Sequence, residues 1–296
     1  HERMIDRGIP TANGAPVEAL KNIVFGTSDI NITTLEADIF RGSLTTDLSD
    51  TSKAVFSVTS SEFEKLYQNL YASGYDLTSN VVTLDGYRDP TERENLIVSG
   101  NFINEIQIGS STHTLLIGAE LVDTNNKNLR YDSYWPTTEK DKESFNVSRP
   151  LNIASNSEGV TTSVNFNTKL KSKTTSDIEV TSIYIQDQIE VSDDLQILIG
   201  GRFDQFDITV EDIKGGTSQS REDDEFSPRA GIIYKPAEII SWYLSYSESF
   251  LPRSGEQYKK LTASSAALDP DVYENIEIGV NYDIRPNLSL RVSYFD

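Results

Sequence analysis

Residues 276–284 read Ile-Glu-Ile-Gly-Val-Asn-Tyr-Asp-Ile, with apolar side chains at the even positions and polar or small ones at the odd positions. Residues 288–294 repeat the pattern as Leu-Ser-Leu-Arg-Val-Ser-Tyr. A period of two predicts strands with one apolar and one polar face, because successive side chains of a strand point to opposite faces. The short polar connection around Arg285–Pro286 predicts that the two strands form an antiparallel hairpin.

The same alternation extends upstream, at 183–191, 195–203, 229–235 and 242–247. Short polar turns fall near 47–52, 110–112, 192–194, 235–238 and 285–286, and long polar connections near 13–32, 73–93, 123–177, 211–225 and 251–271. The two kinds of connection alternate, which predicts about eleven strands with tight turns at one end and long loops at the other. Outer-membrane β-barrels have this asymmetry, whereas soluble sandwiches share only the alternation of side chains.

Three aromatic residues support the barrel interpretation. Tyr234, Trp242 and Tyr282 fall on the apolar face within a few residues of a short turn. Rings with an apolar body and a polar tip form girdles at membrane interfaces. We therefore expect these residues to form the inner membrane-interface girdle, with a Tyr/Trp edge on a sandwich core as the alternative.

Asp187 interrupts an apolar face whose other members are Ile183, Ile185, Ile189 and Val191. A carboxylate that faces lipid is costly in the middle of a bilayer and less costly near an interface. An interfacial position and a local bulge would each explain it. The facing of Asp187 stays open from the sequence.

Composition argues against several classes of protein. The 296 residues carry a formal net charge of −20, which makes nucleic-acid binding unexpected because phosphate neutralisation needs clustered Lys and Arg. Without cysteine there are no disulfides or thiolate metal sites. The only histidines are His1 and His113, so no two-histidine zinc site is available. The acidic run 222–225 lacks calcium-loop spacing. We expect neither a metal site nor an enzyme.

Several stretches resemble the TonB-dependent siderophore receptors of bacterial outer membranes. The opening 6–14, Asp-Arg-Gly-Ile-Pro-Thr-Ala-Asn-Gly, is similar to the first barrel strand that follows the plug domain in that family. Further similar stretches are 112–120, 184–188, 200–204, 227–236, 246–250 and 268–279. Each motif is weak alone, and their common order and spacing carry the resemblance, which is weakest across 123–177.

The resemblance implies a transmembrane antiparallel barrel of about 22 strands around a plug. Its implied function is import of a ferric siderophore across the outer membrane of a Gram-negative bacterium, energised by the TonB complex. Residues 1–296 are expected to be part of this barrel domain, with the plug, the TonB-binding amino-terminal region and the carboxy-terminal strands absent. The expected partners are the siderophore as transported ligand, TonB and outer-membrane lipid, with no cofactor. A passive porin-like channel and a secreted β-rich structural protein are the alternatives.

The resemblance also suggests where a ligand could bind. Arg130, Tyr131, Tyr134 and Trp135 fall within six residues of the connection 123–177. Many ferric siderophores are anionic and carry planar chelating groups, which suits Arg for charge and aromatic rings for stacking. The alternative is that the three aromatic residues form the outer girdle or pack the loop on itself.

Overall fold

The computed structural model describes residues 8–147, 153–252 and 261–296, which are almost entirely β-structure. Strands β1 (Thr11–Ala12) and β2 (Ala15–Pro16) pair with each other, and a 3-10 helix follows at Glu18–Leu20. A four-residue helix, α1, spans Ala263–Ala266. The large sheet contains β3 (Ile32–Asp47), β4 (Ser52–Asp76), β5 (Val81–Ile108), β6 (Ser111–Tyr134), β7 (Glu143–Asn146), β8 (Asn165–Ser192), β9 (Leu195–Asp212), β10 (Thr217–Ala237), β11 (Ile240–Leu251), β12 (Asp271–Arg285) and β13 (Leu288–Phe295).

The large sheet is an antiparallel meander. Ten long strands lie in sequence order from β3 to β13, and β7 pairs with the first residues of β5. This confirms the all-β antiparallel prediction and ten of the eleven predicted strands, whereas β7 lies within the connection predicted at 123–177. Within the described residues β3 and β13 do not pair with each other, so the sheet is open. No helix in this part of the chain has the length and apolar character needed to cross a membrane.

The five short turns are confirmed at 48–51, 109–110, 193–194, 238–239 and 286–287. Three of the long polar connections are largely strand instead. The β4–β5 connection shortens to 77–80, the β6–β8 connection to 135–164 and the β9–β10 connection to 213–216, so the acidic run 222–225 lies within β10. An antiparallel ladder continues through polar residues because its backbone hydrogen bonds need no apolar face. The apolar pattern therefore marks only part of each strand.

The opening segment is not the first long strand, so that expectation was wrong. Residues 6 and 7 lie outside the described part of the chain, and β1 and β2 form a two-residue ladder. Asn13 and Gly14 between them adopt positive φ angles of 53° and 79°, which reverse the chain at once. The first long strand is β3.

One face of the large sheet is apolar and exposed. Register places Trp242 beside Val280, and Leu244 between Ile232 and Ile278. Ile185, in the middle of β8, keeps 51% of its surface accessible. So large an exposed apolar surface is rare on monomeric soluble proteins and is typical of surfaces that contact lipid or protein.

A row of carboxylates borders this apolar band on the side away from the short turns. It is formed by cross-strand neighbours, namely Asp38–Glu62–Glu94, Asp123–Glu179–Asp207–Glu222 and Glu248–Glu274. Like charges directly opposite each other destabilise a sheet, and water and ions screen them. Between this acidic row and the turn, β8 has residues 180–192, enough for the roughly 9–11 residues a strand needs to cross a bilayer.

Candidate functional site

Arg202 lies at the centre of a hydrogen-bond network on the polar face. Its Nη2 donates to Glu120 Oε1 at 2.8 Å and to Ser182 Oγ at 2.6 Å, and its Nε donates to Asp204 Oδ1 at 2.7 Å. Ser182 Oγ also donates to Asp204 at 2.5 Å. The three hydrogen bonds that the Arg202 guanidinium donates thus all go to protein groups. These bonds link β6, β8 and β9 on this part of the polar face.

Two tyrosines lie flat against glycines on the same face. The Tyr184 hydroxyl donates to Asn101 Oδ1 at 2.7 Å, and its ring covers Gly118, where a Cβ atom would come within 2.2 Å of the ring. Tyr243 covers Gly279 in the same way. Glycine allows this close approach because it has no side chain to displace the ring.

A tyrosine–arginine cluster lies on the polar face beyond the acidic row. The rings of Tyr67 and Tyr87 stack with centroids 5.5 Å apart, and Tyr71 meets Tyr87 edge-on at 6.1 Å. The Arg130 guanidinium lies 3.8 Å above the Tyr87 ring, and its Nη1 contacts Asp89 Oδ2 at 3.2 Å. The Arg130 side chain remains 40% exposed. Tyr87 itself is only 5% exposed, so the arrangement combines a partly exposed cation with the partly exposed rings of Tyr67 and Tyr71.

An open pocket of about 330 Å³ lies on the same face of β4, β5 and β6, beside the tyrosine–arginine cluster. Lys65, Arg93, Asn95 and Asn128 supply hydrogen-bond donors to it, with Phe63 as an apolar wall. We call this pocket and the tyrosine–arginine cluster the mouth cluster. On the opposite face the same strands carry Glu62, Glu64, Glu92 and Glu94. One sheet therefore separates a cationic, donor-rich face from an acidic one.

The four residues suggested by the sequence are not brought together. Arg130 belongs to the mouth cluster, and Tyr131 is the next residue of β6, where neighbouring side chains point to opposite faces. The Tyr134 ring lies 4.7 Å from Lys169 Nζ. Trp135 is fully buried against Phe145, with ring centroids 5.3 Å apart. The alternative of loop packing fits Trp135, and ligand contact by the four residues stays a prediction.

Trp135 belongs to a hydrophobic core outside the polar face. Strand residues Leu70, Val82 and Leu84 form its base, with Val17, Leu20, Phe25, Phe145 and Phe166 packed on them. The Asn31 side chain joins the opening segment to this core by donating to Leu70 O at 3.1 Å. The opening segment and the described residues of the connection 135–164 therefore pack together against β4 and β5.

Sequence reasoning missed Lys65, Tyr67, Tyr87, Asp89 and Arg93. The last three lay in a stretch interpreted as loop, and no motif marks any of them. The available signal was alternation of charge, because 62 and 64 are acidic while 63, 65 and 67 are aromatic or cationic, and 92 and 94 repeat this beside 93. Such a pattern predicts a strand between two different polar environments.

The proposed girdle residues lie together on the apolar face. Tyr234 and Trp242 are cross-strand neighbours, and Tyr282 pairs with Ile240. All three are close to the turns 238–239 and 286–287. This placement is what a girdle requires, and the girdle role itself stays a prediction.

Asp187 does lie on the apolar face, and its register is continuous with Ile185 and Ile189. Its Oδ2 is 2.7 Å from His113 Nδ1, and both side chains are largely covered. The nearest irregularity of the β8–β9 ladder lies between Glu190 and Ser192, so a bulge is not the reason for this position. A cross-strand hydrogen bond with His113 partners the carboxylate on this face. Among the described residues no group of three or more acidic or histidine side chains could hold a metal ion.

Comparison with protein families identifies one family model. The model described as TonB dependent receptor-like, beta-barrel matches residues 9–296, which is nearly the whole chain. The match includes all of the long strands described above.

Curated relatives and solved structures agree. The chain is 26% identical over 202 residues to the ferrichrome outer membrane transporter/phage receptor of Escherichia coli K12, covering 66% of this chain and 24% of that protein. It is 33% identical over 116 residues to the ferripyoverdine receptor of Pseudomonas aeruginosa, covering 38% and 13%. The siderophore receptor PiuA of Acinetobacter baumannii superposes with a TM-score of 0.79 at 19% identity, covering 98% of this chain and 45% of that one. The chain thus spans less than half the length of these proteins.

Proposed function

The chain belongs to the TonB-dependent receptor family, as part of its β-barrel domain, and from this membership we propose that it forms one side of a receptor that imports a ferric siderophore. The protein is located in the outer membrane of a Gram-negative bacterium. Relatives named as ferrichrome and ferripyoverdine receptors support iron chelates as its cargo. In such a barrel the apolar band contacts lipid and the polar face lines the lumen.

The position of the mouth cluster carries the proposal. Outer-membrane barrels place short turns in the periplasm and longer connections outside the cell. The mouth cluster lies beyond the acidic row, far from the short turns, and therefore opens to the extracellular side. The partly exposed ring of Tyr67 and the cations at Lys65 and Arg130 suit an anionic chelate with planar groups, and the buried Tyr87 supports Tyr67 and Arg130 from beneath.

The proposed work is binding followed by transport, without chemistry on the cargo. The family consists of receptors, and we propose no cofactor and no catalytic role for this chain. Contact with TonB and rearrangement of a plug are part of the proposal through family membership. They would involve parts of the receptor outside the matched barrel segment.

The test is chelate binding by the complete gene product in a host that lacks other siderophore receptors. Ferrichrome and ferripyoverdine are the first probes. We expect Lys65→Ala with Arg130→Ala to weaken binding of the recognised chelate about tenfold, equivalent to ~1.4 kcal/mol. Arg291→Ala is the matched control, because Arg291 is exposed and its contact with Asp283 is long, at 3.9 Å. Uptake that continues without TonB would contradict the proposal in favour of a passive channel.

A further inference from the structure

The pocket of the mouth cluster brings two cations and an amide to one place. Lys65 pairs with Thr91 and Phe63 pairs with Arg93 across the β4–β5 ladder, so Lys65 and Arg93 are diagonal neighbours on one face. Diagonal neighbours of an antiparallel pair have Cβ atoms about 7–8 Å apart, which lets two long side chains reach one group. Asn128 of β6 pairs with Thr91 and completes this donor side of the pocket.

Two donors of this pocket have no acceptor in the described part of the chain. Lys65 Nζ makes no ion pair or hydrogen bond there. Asn128 Nδ2 is buried and has no hydrogen-bond partner among the described residues, although Asn128 Oδ1 accepts from Thr91 at 3.2 Å. Leaving a buried donor without a partner costs free energy, so Asn128 Nδ2 points to a ligand that supplies an acceptor.

Arg93 is oriented by neighbouring side chains. Its Nε donates to Asn126 Oδ1 at 3.2 Å, and Asn126 Nδ2 donates to Ser176 Oγ at 3.4 Å. Asn126 is only 3% exposed, so this chain of hydrogen bonds is covered by the wall. The guanidinium is therefore positioned before a ligand arrives, which lowers the ordering cost of binding.

The charge balance distinguishes the pocket from the tyrosine–arginine cluster beside it. Arg130 already has Asp89 as its ion partner and the Tyr87 ring beneath its guanidinium. Among the residues that the structure describes, no carboxylate lines the pocket. Lys65 therefore leaves a positive charge unpaired in the pocket, although the chain as a whole is acidic. An anionic group fits this environment best.

The size and the apolar wall of the pocket limit which anion can enter. A volume of about 330 Å³ is at the lower end of the range for sites that enclose a whole small molecule. Phe63 and Leu35, which is 63% exposed, form the apolar wall. A short carbon chain that ends in a carboxylate suits both parts, because its methylene groups can cover the wall while its oxygens reach the donors.

We propose that this pocket is a subsite for a carboxylate arm of the cargo, so that the preferred siderophore carries a free carboxylate besides the groups that bind iron. One carboxylate oxygen accepts from Lys65 and Arg93, and the other accepts from Asn128 Nδ2. The iron-bound part of the chelate then lies over Tyr67 and Arg130. This inference rests on the proposed function and adds the chemical group by which the receptor selects among chelates.

The test compares two derivatives of one chelate. Ferrioxamine B has a free amine away from the iron, and acylation gives an N-acetyl form that is neutral at that end and an N-succinyl form that ends in a carboxylate. Both are loaded with radioactive ferric iron and bound to the complete gene product in a host that lacks other siderophore receptors. We expect the N-succinyl form to bind roughly tenfold more tightly, because its hydrogen bonds are charge-assisted.

Variants of the pocket assign this preference to its residues. Lys65→Met removes the charge and keeps most of the side chain, and Asn128→Asp replaces the buried donor with an oxygen that repels a carboxylate. Each should remove most of the preference for the N-succinyl form. Arg130→Gln, beside the pocket, should weaken both forms alike and leave their ratio, and Arg291→Ala should change neither. Folded yield is checked by heat-modifiable migration.

The outcomes separate this inference from the proposed function. A preference that persists in both Lys65→Met and Asn128→Asp would overturn the pocket as its source. If ferrichrome or ferripyoverdine binds while the two ferrioxamine derivatives bind equally or not at all, the carboxylate subsite is wrong and the siderophore proposal stands. If none of these chelates binds, the subsite and the siderophore proposal fail together.

Discussion

His113 and Asp187 meet on the lipid-facing side of the sheet although 74 residues separate them in the chain. From the sequence, Asp187 was an unexplained acid in an apolar strand, because the partner of a strand residue depends on the register with the neighbouring strand. The same limitation hid the contacts of Tyr87, which joins Tyr67 and Arg130 from two other strands. The sequence left the facing of Asp187 open and placed Tyr87 in a connection, and it indicated the cross-strand partners of neither.

The His113–Asp187 pair predicts a coupled effect on stability. His113→Leu leaves the Asp187 carboxylate without its partner on the apolar face and should destabilise the barrel by about 1 kcal/mol or more. Adding Asp187→Leu removes the stranded charge and should restore most of the loss. Urea unfolding in lipid vesicles measures both effects. Simple additivity of the two single substitutions would show that the side chains are not coupled.

Trp135 is predicted to stabilise the fold locally. Trp135→Ala empties the centre of the core that joins the opening segment to the loop 135–164 and should cost about 3–5 kcal/mol. Trp135→Phe should cost much less, because the indole Nε1 has no hydrogen-bond partner among the described residues. Protease cleavage within the loop on intact cells is the measurement. Equal cleavage of both variants would contradict a packing role.

The hairpins follow one plan, a short turn, an apolar band and a polar extension. Turns and bands were predictable because both depend on local composition. The polar extensions of β5, β6, β8 and β10 were not, because their ladders are held by backbone hydrogen bonds that leave no apolar period in the sequence. The extension of β5 carries Tyr87, Asp89 and Arg93, so this part of the mouth cluster was missed together with the element that forms it.

Close packing of Tyr184 on Gly118 predicts that an alanine is harmful at position 118 and tolerated at position 231. Gly118→Ala places a Cβ where the ring now lies and should displace Tyr184 and break its hydrogen bond to Asn101. Gly231→Ala should be tolerated, because its Cβ would meet its nearest neighbour at 3.7 Å. The folded fraction after refolding into detergent compares the two. A tolerated Gly118→Ala would show that the ring moves freely.

At the scale of the whole molecule, the apolar band and the acidic row together fix how the sheet sits in the membrane. The fold class, strand order and location followed from alternation, the sorting of turns and the resemblance of ordered motifs. The packing of Leu261 on Ile178 could not be foreseen, because it joins residues that are distant in sequence.

The position of the apolar band relative to the lipid is directly measurable. Spin labels at Ile185→Cys and Glu179→Cys lie on the same face of β8, six residues apart. We expect the label at 185 to collide mainly with dissolved oxygen and the label at 179 mainly with a water-soluble nickel complex. Equal accessibility to nickel at both sites would mean that the band does not contact lipid.

Strand β5 spans 28 residues, while crossing a bilayer takes about ten. The 13 residues that precede Glu94, the β5 member of the acidic row, would raise the tip of the β4–β5 hairpin roughly 30 Å above the lipid at the usual strand tilt. A hairpin of this height carries its turn, residues 77–80, well clear of the lipid surface. Antibodies against that turn should therefore stain living bacteria without any permeabilisation.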